Sequence, residues 1–113
     1  MLQISRDSVC MADDVTAPNC EILDLRNFLS TSISYVINYL PKMPNSVWIL
    51  YAQDIILGYL SYNEYGSYTS EIINDVLLSG IPSIYCKYIP IWKLHTKQGT
   101  LIERAKQDVK EMI

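Results

Sequence analysis

The chain has 113 residues, of which 50% are hydrophobic and 19% charged, and its formal net charge is −3. This composition excludes an intrinsically disordered tail, and the length excludes a multidomain enzyme, so we expect one soluble domain over residues 1–113. Its apolar runs fall far short of the roughly 20 residues that span a bilayer, and no basic-then-apolar leader opens the chain, which predicts a cytoplasmic protein without membrane contact.

The first part of the chain predicts two strands and a helix. Leu2 and Ile4 alternate with polar residues, which is typical of a half-buried strand, and we place its partner strand near residues 21–26. The connection between them is rich in Asp, Pro and Asn and predicts an irregular loop. Apolar residues then recur at helical spacing from about residue 25 to 40, and Pro41 ends this helix.

The middle of the chain predicts a hairpin and a short helix. Residues 46–53 and 55–62 are β-branched and aromatic runs separated by Asp54, which indicates two antiparallel strands. Residues 70–78 carry apolar side chains at three- and four-residue spacing, and Gly80 follows them. This pattern favours a short helix that ends at the glycine.

The last part predicts a strand and a closing helix. Residues 81–91 are rich in strand-forming residues, but Pro82 and Pro90 cannot donate to a β-ladder, so we expect this strand near the sheet edge. Thr100 and Glu103 match a capping box at the start of an amphipathic helix.

The predicted elements run in the order ββ-α-ββ-α-β-α. Strands and helices without regular βαβ alternation are typical of α+β domains. We therefore expect an α+β fold in which an antiparallel sheet of about five strands carries its helices on one face.

Catalytic motifs are missing from the chain. It contains one histidine, His95, and lacks the G-x-S-x-G, H-E-x-x-H and G-x-x-x-x-G-K-[ST] motifs. A general base acts beside a nucleophile and an orienting group, so His95 is expected to be a surface or partly buried histidine. We predict that the protein is not an enzyme; a small enzyme that uses His95 with a nearby carboxylate is the open alternative.

The cysteines predict neither a disulfide framework nor a zinc site. Cys10, Cys20 and Cys86 are odd in number and lack C-x-x-C spacing, so we expect reduced thiols. Cys86 lies in an alternating apolar run and is expected in the core. Asp13 and Asp14 lie between the other two cysteines, but their spacing matches no metal site. We predict no metal and no cofactor.

Tyrosine is the unusual feature of the composition: the chain has nine Tyr, two Trp and one Phe. Tyrosine combines an apolar ring with a polar tip and is enriched at interfaces. Four tyrosines cluster within ten residues, and residues 43–86 contain no Lys or Arg. We predict an acidic, tyrosine-rich binding surface, although packing of these rings in the core is an open alternative. Its members are Asp54, Tyr59, Tyr62, Glu64, Tyr65, Tyr68, Glu71 and Asp75.

The charge distribution indicates the kind of partner. Residues 1–86 hold nine acids and three bases, whereas residues 87–113 hold six bases and three acids. Nucleic acid binds through Lys and Arg that neutralise phosphates, so the acidic part of the chain excludes direct nucleic-acid binding. A basic protein suits it, because opposite charges accelerate encounter and aromatic anchors supply affinity.

Three short stretches carry a family resemblance: residues 4–14 (ISRDSVCMADD), 47–51 (VWILY) and 100–104 (TLIER). In these stretches, and in size and order of elements, the chain resembles small bacterial immunity proteins of contact-dependent growth inhibition systems. Such proteins neutralise the C-terminal toxin domain of a delivered effector. The resemblance implies a non-enzymatic cytoplasmic protein that binds one cognate toxin, often a nuclease, at its active site or an exosite.

The leading hypothesis is therefore an immunity protein, a monomer or weak dimer, whose acidic surface occludes a basic toxin. The alternative is another protein interaction module, such as an adaptor, a phage-encoded host inhibitor or an obligate subunit. Such a module would pair through the predicted edge strand at residues 81–91.

Overall fold

The computed structural model describes residues 2–8, 20–23 and 27–111, with the backbone alone for residues 20–23. In this part of the chain six strands form one sheet and two α-helices pack against it. The strands are β1 (Leu2–Arg6), β2 (Cys20–Leu23), β3 (Ser46–Ala52), β4 (Ile55–Tyr62), β5 (Tyr68–Ile72) and β6 (Ser83–Pro90). The helices are α1 (Leu29–Tyr39) and α2 (Leu101–Glu111), and 3-10 turns form at Leu78–Gly80 and Ile91–Lys93.

The sheet is mixed, with the strand order β2-β1-β6-β3-β4-β5. The parallel pair is β1 with β6, and the other neighbours are antiparallel. The α+β class is confirmed, and the expected count of about five strands is close to the six observed, but the expectation of an antiparallel sheet is only partly right because β1 and β6 are parallel. β6 lies between β1 and β3. It runs antiparallel to β3 but parallel to β1, and this makes the sheet mixed.

The two helices lie on opposite faces of the sheet, so the prediction that helices cover one face is wrong. Trp48 and Leu50 of β3 belong to the buried cluster that includes α1. Val47 and Ile49, which alternate with them, belong to the cluster that includes Ile102 of α2. The continuous apolar run of β3 requires cover on both faces. We call these the α1 face and the α2 face.

Residues 70–78 do not form the predicted short helix. The chain turns back after β4, and β5 pairs with it antiparallel from Tyr68 opposite Tyr62 to Ile72 opposite Gly58. The β-branched and aromatic residues of β5 suit a strand, and the free edge of β4 supplies its hydrogen-bond partners. A helix is limited to the short 3-10 turn at Leu78–Gly80, which buries Leu78.

The strand predicted at residues 81–91 is present as β6, but it is an inner strand and the edge assignment is wrong. Pro82 precedes the strand, and its carbonyl accepts a hydrogen bond from Gln3 N at 3.0 Å. Pro90 is the last residue of β6, beyond the four residues that pair with β1. Neither proline therefore has to donate to β1, and the strand fits between two neighbours.

Several local predictions are confirmed. β1 pairs antiparallel with β2, α1 lies within the predicted helix, and β3 and β4 form the predicted hairpin. At the start of α2, Glu103 N donates to Thr100 Oγ1 at 3.2 Å and Thr100 N donates to Glu103 Oε1 at 3.3 Å, which is the predicted capping box. The loop predicted between β1 and β2 lies outside the described residues. Neither described helix has the length and apolar character needed to cross a bilayer.

Candidate partner-binding surface

The β4–β5 connection is a compact turn held by Asn63. Its side-chain Oδ1 accepts hydrogen bonds from Tyr65 N at 2.9 Å and from Ser67 N at 3.0 Å. Its backbone N donates to Ser67 O, and its carbonyl accepts from Gly66 N. Gly66 has a φ of 81°, a conformation that glycine adopts without a Cβ penalty. These bonds fix the turn, and we call residues 63–68 the hairpin tip.

The hairpin tip presents three exposed residues of the predicted surface. Tyr65 is 84% exposed and Tyr68 is 55% exposed, and Glu64 between β4 and Tyr65 is also exposed. Glu64 makes no ion pair with any described residue. Two exposed aromatic rings and an exposed carboxylate therefore lie together at and beside a hydrogen-bonded turn, an arrangement suited to contact with a protein.

Two predicted surface tyrosines are core residues instead, so their assignment as surface anchors is wrong. Tyr62 is fully buried on the α1 face, and Tyr59 is 5% exposed on the α2 face. Both lie on β4, which has β3 on one side and β5 on the other. The α1 layer covers Tyr62, and the α2 layer covers Tyr59. Burial raises the pKa of both phenols, with smaller contributions from Tyr51 and Glu71 to Tyr59 and from Tyr68 to Tyr62.

Two predicted surface acids are engaged within the protein. Glu71 Oε2 lies 2.6 Å from Lys106 Nζ of α2. Asp75 accepts hydrogen bonds from Ser30 N at 3.0 Å and Ser30 Oγ at 2.5 Å, at the start of α1. The Ser30 hydroxyl, followed by the Ser30 amide, holds the pKa of Asp75 below its ordinary value. Both carboxylates are exposed, but each already has a partner within the protein.

The predicted surface is also divided in space. Asp54 is exposed in the β3–β4 turn, at the far end of β4 from the hairpin tip. A strand rises about 3.3 Å per residue, so β4 separates the two ends by about 25 Å. Of the eight predicted residues, the structure brings together Glu64, Tyr65 and Tyr68.

A cleft of about 590 Å³ opens on the α2 face, and no residue of the hairpin tip lines it. Its lining combines apolar, cationic and acidic side chains, among them Ile49, Ile56, Val109, Lys87, Lys93, Asp7, Asp54 and Asp108. The cleft falls within the size range of small-molecule pockets. Asp7 Oδ2 accepts a hydrogen bond from Tyr88 N at 2.9 Å, and Asp108 holds the loop that contains His95, which also lines the cleft.

The loop that contains His95 is anchored by Asp108 of α2. Asp108 Oδ2 accepts from the backbone N of His95 at 2.7 Å, while Oδ1 accepts from Thr96 N at 2.8 Å and Thr96 Oγ1 at 2.7 Å. Burial of Asp108 opposes its ionisation, but these hydrogen bonds outweigh burial and hold its pKa below the ordinary value. Both carboxylate oxygens are therefore occupied in positioning a loop.

The sequence analysis missed an exposed tryptophan. Trp92, in the 3-10 turn after β6, is 74% exposed, and Lys93 Nζ lies 5.3 Å from the centre of its ring. A tryptophan two residues after Pro90, where the strand ends, was the available signal. Trp92 lies on a different connection from the hairpin tip.

Cys86 lies in the core, as its alternating apolar surroundings predict. Cys86 is fully buried and free, and burial, followed by the charge of Asp7, raises its pKa far above the ordinary value. No group of three or more potential metal ligands occurs among the described residues. Cys10, Asp13 and Asp14 lie outside those residues, and the side chain of Cys20 is not described.

Comparison with protein-family models, with curated proteins and with solved structures gave no match to this chain.

Proposed function

We propose that this protein is an immunity protein that binds a cognate toxin domain and neutralises it by stoichiometric occlusion. The observation that supports this proposal is the hairpin tip, where Tyr65 stands 84% exposed on a turn held by hydrogen bonds to Asn63. The toxin class comes from the resemblance to immunity proteins of contact-dependent growth inhibition systems.

Preorganisation is the physical basis of the proposed contact. Binding usually costs free energy because side chains and loops must be ordered at the interface. The tip turn is ordered before binding, and a tyrosine ring has few rotatable bonds, so this cost is small. Tyr65 and Tyr68 therefore act as anchors that insert between side chains of the partner.

Charge supports a basic partner, such as the phosphate-binding site of a nuclease. Glu64 at the tip has no internal ion pair with a described residue, and the chain from residue 43 to 86 holds no Lys or Arg. Glu64 would meet Lys or Arg side chains that otherwise bind phosphates, which steers encounter. In this proposal the protein acts in the cytoplasm, without a cofactor, catalysis or direct contact with nucleic acid or membrane.

Co-expression with the product of the gene directly upstream tests the proposal. We expect a one-to-one complex by affinity capture and mass spectrometry, and growth arrest when the immunity protein is omitted. Absence of both toxicity and a complex would contradict the proposal.

A pair of charge reversals locates the surface within such a complex. E64K is expected to slow association severalfold at low salt, because it removes charge complementarity at the tip. E111K makes the same charge change at an exposed site at the end of α2 and is expected to leave the association rate unchanged. Equal effects of the two variants would place the contact elsewhere.

A further inference from the structure

The outer side of β5 is an unoccupied sheet edge in the described part of the chain. Ser67 O accepts from Asn63 N, and Ile73 N donates to Leu57 O. In an antiparallel pair the inward-bonding residues alternate, so residues 67, 69, 71 and 73 bond to β4. The backbone groups of Tyr68, Ser70 and Ile72 therefore point away from the sheet, where they are available to another strand.

This edge lacks the features that usually prevent strand pairing. Proteins protect sheet edges with Lys, Pro, bulges or inward-pointing charges. β5 has the sequence YTSEI, without Lys or Pro, and its register with β4 is continuous. Its one charged residue, Glu71, is ion-paired with Lys106. The edge therefore does not repel a second strand.

We propose that β5 pairs antiparallel with β5 of a second copy of this chain, about a twofold axis at Ser70. This register places Ser70 opposite the partner's Ser70, and Tyr68 opposite the partner's Ile72. The twofold axis adds a third pair, Ile72 opposite the partner's Tyr68, and each pair exchanges two backbone hydrogen bonds, about six in all. Tyrosine opposite isoleucine is a favourable cross-strand pair. The outward-bonding residues of β5 are thus a polar Ser70 at the centre with apolar Tyr68 and Ile72 on either side. Because this pattern is complementary to itself in the antiparallel direction, we assign the edge to a second copy of the chain.

The charges of the dimer are compatible with this register. Glu71 lies opposite the partner's Thr69, and each Glu71 retains its own Lys106. No like charges are directly opposite each other across the seam. A seam of two five-residue strands is short compared with the interfaces of stable complexes, so the dimer is weak and its population depends on concentration.

Self-pairing and the proposed partner binding share one residue. Tyr68 belongs both to β5 and to the hairpin tip, whereas Glu64 and Tyr65 lie beyond the paired strands. The dimer would therefore compete with the partner for Tyr68 while leaving the rest of the tip exposed. The dimer itself does not depend on the toxin hypothesis and is tested with the purified protein alone.

Two lysine substitutions one residue apart test the register by sedimentation velocity over a range of concentrations. S70K places two ammonium groups opposite each other at the twofold axis and is expected to weaken dimerisation by about threefold to fivefold. T69K places its ammonium opposite the partner's Glu71 and is expected to retain or tighten the dimer. Both sites are exposed, so both variants should fold. A monomer at every concentration, or equal weakening by both variants, would overturn the proposal.

Cysteine crosslinking measures the same register directly. In S70C the two introduced thiols lie on residues whose Cα atoms are about 5.5 Å apart, within the range that a disulfide bridges. In T69C the corresponding residues are offset by two positions, about 8 Å apart, and beyond that range. Under mild oxidation, peptide mass spectrometry is expected to find the 70–70 crosslink in S70C and little 69–69 crosslink in T69C. The reverse pattern would exclude this seam.

Discussion

The four clustered tyrosines divide into two pairs with opposite environments. Tyr59 and Tyr62, on β4, are buried under α2 and α1, while Tyr65 and Tyr68, at the hairpin tip, are exposed. The residues are of one type and lie within ten positions, so composition does not distinguish them. Their positions in the sheet distinguish the two pairs. An inner strand that is covered on both faces buries Tyr59 and Tyr62, whereas a turn beside the edge strand leaves Tyr65 and Tyr68 exposed.

The largest predicted effect is the difference in the free energy of unfolding between variants of a buried and an exposed tyrosine. Y62A removes a fully buried ring and is expected to lower the free energy of unfolding by about 3–5 kcal/mol. Y65A removes an exposed ring and is expected to change it by less than about 0.5 kcal/mol. Chemical denaturation followed by circular dichroism measures both. Similar losses in the two variants would contradict the division.

Close packing of β4 against the edge strand provides a second, smaller effect. A Cβ at Gly58 would lie 2.7 Å from the backbone oxygen of Glu71, so G58A must displace β5. We expect a loss of about 1–3 kcal/mol in the free energy of unfolding. The matched control is G80A, because a Cβ at Gly80 would meet no atom within 4 Å. If G58A is as stable as G80A, β5 is not held against β4 as described.

The acids divide in the same way as the tyrosines, and pH distinguishes them. Asp108 accepts three hydrogen bonds from Thr96 and His95, and its folded-state pKa lies below the ordinary value of 3.8. The ionised Asp108 carboxylate therefore contributes its full share of folding stability above pH 3.8. This contribution is lost as the pH falls below 3.8 and through the folded-state pKa. D108N is expected to cost about 1–3 kcal/mol near neutral pH.

The control for this prediction is E64Q, at an exposed acid without an internal ion pair in the described chain. We expect the stability difference between the original protein and D108N to shrink as the pH is lowered from about 5 to 2, and E64Q to change the free energy of unfolding by less than about 0.5 kcal/mol near neutral pH. Denaturation curves at several pH values measure both. A D108N deficit that does not change with pH would contradict the assigned role of the carboxylate.

The smallest predicted effect concerns the hydroxyl of a buried tyrosine. Tyr62 Oη is buried and has no hydrogen-bond partner among the described residues, and such a group carries an uncompensated desolvation cost. Y62F is therefore expected to leave stability unchanged or to raise it by up to about 1 kcal/mol, in contrast to Y62A. A clear loss of stability in Y62F would show that the hydroxyl has a partner.

Local patterns predicted the local parts of the fold. The capping box at Thr100, the helix before Pro41 and the hairpin of β3 and β4 each depend on neighbouring residues, and each is present. The position of β6 between β1 and β3 depends on pairing between distant parts of the chain, about which local composition carries no information. The apolar residues in 70–78 fit helix spacing, but the free edge of β4 favoured a strand.

The candidate site was partly predictable for a similar reason. The predicted strand at residues 55–62 already contains Tyr59 and Tyr62, but the cover on both faces that buries their rings comes from distant parts of the chain. The pairing of Glu71 with Lys106, and of Asp75 with Ser30, joins residues 35 and 45 positions apart. Such contacts form only in the folded chain, and they reduce the acidic surface to fewer residues than the sequence indicates.

The most direct test of the central claim compares two exposed tyrosines in binding to the captured partner. Tyr65 is at the hairpin tip, and Tyr35, which is 58% exposed, is on α1. We expect Y65A to raise the dissociation constant for the partner by at least about tenfold, and Y35A to leave this constant within about twofold of the original value. Unchanged affinity in Y65A, or loss of affinity in Y35A alone, would contradict the assignment of the hairpin tip as the binding surface.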